Sequence, residues 1–513
     1  MSLPITNPES RFDRFDRLVV ALVIVVLCAA LAIVARPLNA FFNEPLLDDG
    51  YYVLTIARHI ALGQGVTSDG TTLSNGFQPL WTFLCAGLFW LSDGERISGV
   101  RYVLILHWLL YALGAFLAAA LAERVFAKST DRPRSAALVA ALVFLSSSFI
   151  WSNGFNGMET SLSIACLLAA MLCYVSIDRK NRRHLAGCGA LLGVVVLARV
   201  DAVFFVILLT AMQLVRREVG WKERLVDALC LAGPAFLVSS PWWAYNVIAF
   251  GHLTPSSGLA LQDWAPTRSR YMTSVGALTL TLTPMFDFLN SDTWPRAIAR
   301  APLVGLAIWW TWPELRALFR GLDRPLAEIL LALALFVVVL AVWYPASSWA
   351  SFFYYRYLAA GSIIGVLLWT FVVLKFVKCV DRNLVVAGLA LMAAQIPVLV
   401  ILHSDASYRQ PAMIGEQVPL VKERVPPNDV VGAVQSGTLA FMRDRVVNLD
   451  GRVNFEAIGR RHDIAQYLRE KDIRWFVDWP FLAHDYLGPD LAKLGWSPVA
   501  TKGSMTLYRY DGR

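Results

Sequence analysis

Charge is what this sequence has least of. Only 16% of its 513 residues are Asp, Glu, Lys or Arg, against 57% hydrophobic. A soluble globular chain carries about 25% charged residues. A mean hydropathy of +0.53 excludes that class and points to a polytopic membrane protein. Cysteine is sparse too. The seven present all lie in or beside apolar runs, which reads as packing rather than as disulfides or metal ligands. None follows Cys379, so residues 403–513 need an ordinary core. The first apolar run is long and no small-residue cleavage pattern follows it, so it does not read as a removable signal. No solenoid-type repeat and no inverted repeat between halves is visible. The net charge of +8 is modest, and its basic residues sit in short loops between apolar runs. That excludes nucleic acid as a partner.

Apolar runs are plentiful. The first, 18–35, is long enough to cross a bilayer core of about 30 Å. Arg11, Arg14 and Arg17 precede it, which sets the N-terminus in the cytoplasm and Asp48 outside. The next run, 80–91, is short for a span. Reading it as an interfacial helix keeps every later basic loop on the inner side. Ten further spans follow: 100–122, 136–151, 158–175, 185–197, 202–215, 225–250, 297–312, 325–344, 358–374 and 384–402. Basic clusters at 124–134, 179–183, 216–224, 316–324 and 375–382 agree on orientation. The expectation is an α-helical membrane domain over 1–402, with about eleven transmembrane helices and a first outer loop at 37–99. After it comes a small α/β domain over 403–513, where short β-rich runs alternate with a helical segment. The N-terminus is then cytoplasmic and the C-terminal domain extracytoplasmic.

The longest polar interruption of the apolar first half begins at Asp48-Asp49. These residues open a helix to about residue 62. Val53, Ile56, Ala57 and Ile60 recur at helical spacing and form a face for acyl chains; Asp48, Tyr52, Thr55 and His59 form another. Glu159 lies at the outer mouth of the fourth span, Arg199 and Asp201 at the turn between the fifth and sixth, His252 in the loop after the seventh, and Tyr355 and Arg356 where the tenth begins. Ionisable groups converging at one membrane–water interface are functional candidates. Each also has a plainer role. Asp48 suits a helix cap and Asp49 a first-turn acid. Arg199 and Asp201 suit a local ion pair, Glu159 a cap, Arg356 a side chain reaching headgroups, and His252 an ordinary loop position. As a set they suit sugar transfer from a lipid-linked phosphate, where a carboxylate deprotonates the acceptor hydroxyl and cations stabilise the departing phosphate.

The motifs Asp48-Asp49, Asn75-Gly76-Phe77-Gln78-Pro79-Leu80-Trp81-Thr82, Gly157-Met158-Glu159-Thr160, Ala198-Arg199-Val200-Asp201, GAVQSGTLAFM and VVNLDGRVN occur in an order that resembles GT-C-type glycosyltransferases using polyprenyl-phosphate sugar donors. The similar branch is the bacterial arabinofuranosyltransferase-like one, related to lipid A aminoarabinose transferases and protein mannosyltransferases. The resemblance implies a bacterial inner-membrane enzyme with two juxtamembrane helices in the first outer loop and a periplasmic α/β domain. It implies Asp48 as the essential acid and Asp49 as its partner. Arg199, Arg356 and His59 are then the candidates for the donor phosphate. Gln78, Trp81, Glu159, Asp201, His252 and Tyr355 are the candidates for substrate contact. The related aminoarabinose transferases carry an acidic-Lys-Pro motif where this chain has Phe77-Gln78-Pro79, so the phosphate charge must be met elsewhere. The donor sugar is expected to be arabinofuranose or another pentose, and the acceptor a glycan, glycolipid or protein. No cofactor is required by these residues; a divalent cation (Mg, Mn or Ca) on Asp48, Asp49 and Glu159 is a further option. The competing readings are a transporter or lipid-linked-sugar flippase and a non-catalytic envelope scaffold.

Overall fold

The computed structural model describes residues 14–34, 46–128, 133–283, 294–379 and 412–512. Helices stand where spans one to ten are expected, from Arg14–Val34 to Gly361–Cys379. The eleventh, 384–402, and the expected domain boundary at 402 lie outside the described residues. Among the described residues, three helices are long and apolar enough to cross a bilayer alone: Arg96–Phe126, Trp221–Phe250 and Arg324–Ser347. Two bent pairs qualify when each is taken as one span.

Those bends differ from the uninterrupted runs expected from hydropathy. The third run breaks into Pro133–Leu145 and Ser148–Gly154, bent by 59°. Ser147 causes the break: its hydroxyl accepts the Ile150 N–H and so caps a new helix. The tenth is preceded by Tyr354–Tyr357, bent by 60° against the helix that follows. This bend turns Arg356 inward. The loop expected after the seventh span also holds a helix, Arg268–Leu282, capped by Thr267. Its Ser274 hydroxyl donates to the Ala341 carbonyl, and Trp369 donates to the carbonyl of Leu282 at its last turn. Its apolar content is too low to register as a run.

The first outer loop carries two helices, Asp48–Ala61 and Pro79–Trp90. The second starts on Pro79, whose missing N–H costs nothing at a first turn. It exposes Phe83, Leu84 and Trp90. The first is buried almost all round. Val53, Ile56 and Ala57 are packed inside the protein, not laid on lipid as their spacing had implied. The C-terminal domain covers this helix, and Ile56 joins Phe77, Trp242 and Val453 in one cluster.

That domain is built on a mixed five-stranded sheet of β1 (Val431–Ala433), β2 (Val446–Asn448), β3 (Trp475–Asp478), β4 (Trp496–Lys502) and β5 (Met505–Tyr510), in the order β2-β1-β3-β5-β4. β1 runs parallel to β2 and β3; β5 runs antiparallel to β3 and β4. One apolar cluster covers each face. The short helix Gly437–Met442 docks the domain onto Asp48–Ala61. Two glycines permit close approach here. A Cβ on Gly437 would lie 2.1 Å from the Asp48 carbonyl oxygen, and one on Gly76 would lie 1.8 Å from that of Arg452.

Candidate active site

A cavity of about 490 Å³ opens where the first-loop helix, the Gly76–Gln78 turn, the 199–204 turn, the 253–264 loop, the 343–357 segment and Arg452 meet. One wall is ionic. Asp49 stands between two arginines: its Oδ2 accepts from Arg356 Nη1 at 3.1 Å, and its Oδ1 from Arg452 Nη1 at 2.9 Å. Both guanidiniums lie over the Phe353 ring, at 4.5 Å and 5.3 Å. Burial works to raise the Asp49 carboxyl, but Arg452 and Arg356 overcome it and hold the group below the usual carboxylate range. Arg199 forms the second ionic group. It is bidentate to Asp201, at 2.9 Å on each arm, and reaches Glu159 at 3.1 Å. Tyr344 donates to Asp201 at 2.6 Å and stacks on Tyr357 at 4.1 Å. The opposite wall is aromatic, with Phe204, Trp243, Trp264 and Trp343.

No family model matches the sequence, and no curated protein matches it. Among solved structures the chain is similar to ArnT from Cupriavidus metallidurans bound to undecaprenyl phosphate, with a TM-score of 0.60, 15% identity, and 96% of this chain and 97% of that one covered. The apo state of the same protein gives a TM-score of 0.59 at 14% identity, with the same coverage. The chain shares its fold with that protein. The fold is mainly helical, with the small sheet domain at its C-terminal end.

Five of the expected residues line the cavity together: Asp49, Arg356, Glu159, Arg199 and Asp201. Gln78 joins them, its Oε1 accepting the Val200 N–H at 2.9 Å.

Asp48 does not. Adjacent helical residues point about 100° apart, so the two acids cannot face one cavity. The Asp48 carboxylate turns to the C-terminal domain, where it accepts from the Gly437 N–H and from both the N–H and the hydroxyl of Thr438. Burial raises its carboxyl, and the Thr438 and Gly437 donors offset part of that. Asp48 also does not cap its own helix, whose N-cap is Leu47.

His59 likewise does not line the cavity. Its Nδ1 pairs with the Thr67 carbonyl at 2.9 Å and closes the loop behind the helix. Burial pushes its pKa down. Trp81 is buried, donates to the Gly157 carbonyl and stacks on His107. His252 is exposed and lies against Phe455. Tyr355 is half-buried outside the lining; Tyr357, two residues on, takes the place expected of it.

In this structure the three carboxylates proposed for a divalent cation have protein partners. Asp48 is filled by donors from Gly437 and Thr438, Asp49 by two arginines, and Glu159 by Arg199 on one oxygen. Among the described residues, no group of three or more His, Cys, Asp or Glu is placed to hold a metal ion.

Arg452 is the residue that reading the sequence missed. It lies in the VVNLDGRVN motif, 403 positions from its partner Asp49. No local pattern marks that distance.

Proposed function

We propose that this chain is a membrane glycosyltransferase that moves a sugar, arabinofuranose or another pentose, from a polyprenyl-phosphate donor to an extracytoplasmic glycan, glycolipid or protein. We place it in a bacterial inner membrane with about eleven spans, the N-terminus cytoplasmic and the C-terminal domain periplasmic. The observation that carries the reading is a carboxylate, Asp49, flanked by two arginines inside a cavity with an aromatic wall. A fold similar to a protein that binds undecaprenyl phosphate supports the donor class.

The reaction asks little of the protein beyond charge and position. The acceptor hydroxyl oxygen attacks the anomeric carbon. The bond from that carbon to the phosphate oxygen breaks, and polyprenyl phosphate leaves with the electron pair. Asp49 takes the hydroxyl proton, which as general-base catalysis is worth roughly 10²–10⁴-fold. Arg356 faces the developing phosphate charge. Arg199 is held by two acids, and its role is to fix Glu159 and Asp201 on the cavity wall. The aromatic residues receive the apolar first part of the lipid or the face of a sugar ring.

The test is donor turnover by purified protein offered a panel of polyprenyl-phosphate sugars, pentoses included, beside Asp49→Asn. Turnover of a pentose donor that is lost in the variant supports the reading. Turnover that survives Asp49→Asn undamaged removes the base assignment, and no turnover with any donor removes the function.

A further inference from the structure

Arg452 reaches the cavity from the C-terminal domain, and its position implies more than bracing. Asp49 divides its two oxygens between Arg356 and Arg452. The two guanidiniums share one aromatic ring and would repel each other without the carboxylate between them. Arg452 is anchored from behind: its Nε lies 3.1 Å from Asp450 Oδ2, and its N–H donates to Asp450 Oδ1 at 2.8 Å. Arg356 keeps a buried Nε with no hydrogen-bond partner, and Glu159 a buried Oε2 with none. Both residues line the cavity. A phosphodiester carries one negative charge on two equivalent oxygens, as Asp49 does. It can bridge the same two arginines.

We propose that Arg452 is a ligand for the donor phosphate, delivered by the C-terminal domain, and that the phosphate displaces Asp49 from Arg452 and Arg356. Asp49 is then a masked base. With the cavity empty its oxygens are occupied and its proton affinity is low. Once the phosphate takes the arginines, the carboxylate is free to accept the acceptor proton. Chemistry is thereby withheld until the donor is seated. This inference rests on the polyprenyl-phosphate reading above.

The experiment measures binding of undecaprenyl phosphate, with undecaprenol as the arm lacking phosphate, to the full-length protein in lipid nanodiscs. Arg452→Gln is expected to weaken the phosphate-bearing lipid by about tenfold or more. Arg452→Lys is expected to recover part of that loss, and undecaprenol should bind all three proteins alike. Asp49→Asn removes the competitor for the arginines, so it should bind undecaprenyl phosphate several-fold more tightly than the native protein. Equal binding by the native protein and Arg452→Gln overturns the inference, as does unchanged or weaker binding by Asp49→Asn. The second variant keeps the test decisive if the first does not fold. A native protein that fails to prefer undecaprenyl phosphate over undecaprenol overturns the donor reading itself, and this inference with it.

Discussion

Asp48 and Asp49 are one bond apart in sequence and belong to different parts of the molecule. Asp48 is a docking residue. Asp48→Ala would leave the Gly437 and Thr438 donors buried and unpaired, costing about 1–3 kcal/mol of stability. A melting curve is expected to show that loss, while turnover per folded molecule falls far less than in Asp49→Asn. Asp478 offers a test by pH. Burial beneath the 434–436 turn raises its carboxyl to about 7, the N–H groups of Gln435, Trp479 and Val434 offset part of this, and Asp48 adds to it. A carboxyl raised by folding holds a proton that the unfolded chain, with a value of about 4, has released. Its contribution is therefore full below about 4 and is lost as pH rises to about 7. Asp478→Asn should flatten the stability profile across that window. A profile as steep as that of the native protein would rule Asp478 out as its source.

At the scale of elements, the C-terminal domain docks through close backbone approach as well as through charge. Gly437→Ala and Gly76→Ala each drive a methyl group into a carbonyl oxygen of the opposing segment. Overpacking of this kind costs about 1–3 kcal/mol, so both variants should melt lower. Gly87→Ala is the contrast. Gly87 lies inside Pro79–Trp90 with open space where its Cβ would go, and exchanging a helical glycine for alanine there should stabilise by about 0.5–1 kcal/mol. Melting temperatures moving in opposite directions would separate close approach from helix propensity. The same contrast explains what the sequence made legible. The 3.6-residue period and basic loops revealed where helices start and on which side charged residues gather, because those signals are local. The order of apolar runs and basic loops revealed that Asp49, Glu159, Arg199, Asp201 and Arg356 gather at one end. Whether Asp48 or Asp49 faces the cavity depended on a covering domain nearly 400 residues away, and so did the burial of Ile56. Arg452 is an ordinary basic residue until Gly76 and Gly437 let its segment close on the first loop. Arg268–Leu282 escaped because its burial comes from neighbours rather than from its own hydropathy.

For the whole molecule, the charges that meet show which loops share an end. Lys128 pairs with Asp323 at 2.5 Å, Arg179 with Glu328, Arg324 with Glu218, and Lys375 with Glu314 at 2.9 Å. These pairs draw on all five basic loops that follow the first span, so those loops lie at one end of the helical bundle. The cavity and the sheet domain are built from the opposite connections. Arg179–Glu328 is largely buried; the exposed pair Lys128–Asp323 contributes only about 0–1 kcal/mol. In the proposed orientation the basic residues of these loops are retained on the inner side during insertion. The same magnitude applies to Asp444, which bridges Arg58 and Arg96 while its side chain is 60% exposed. Asp444→Asn should cost under about 1 kcal/mol, leaving the sheet domain held by Asp48, Tyr52 and the glycine contacts. The orientation itself can be read chemically. Lys493 in the sheet domain has an 85% exposed side chain, and Lys180 is exposed in a basic loop. In intact spheroplasts a membrane-impermeant maleimide should label Lys493→Cys above the native background, and should reach Lys180→Cys only after the membrane is opened. The reverse pattern would invert the molecule and set the Asp49 cavity on the cytoplasmic side, where an extracytoplasmic acceptor could not reach it.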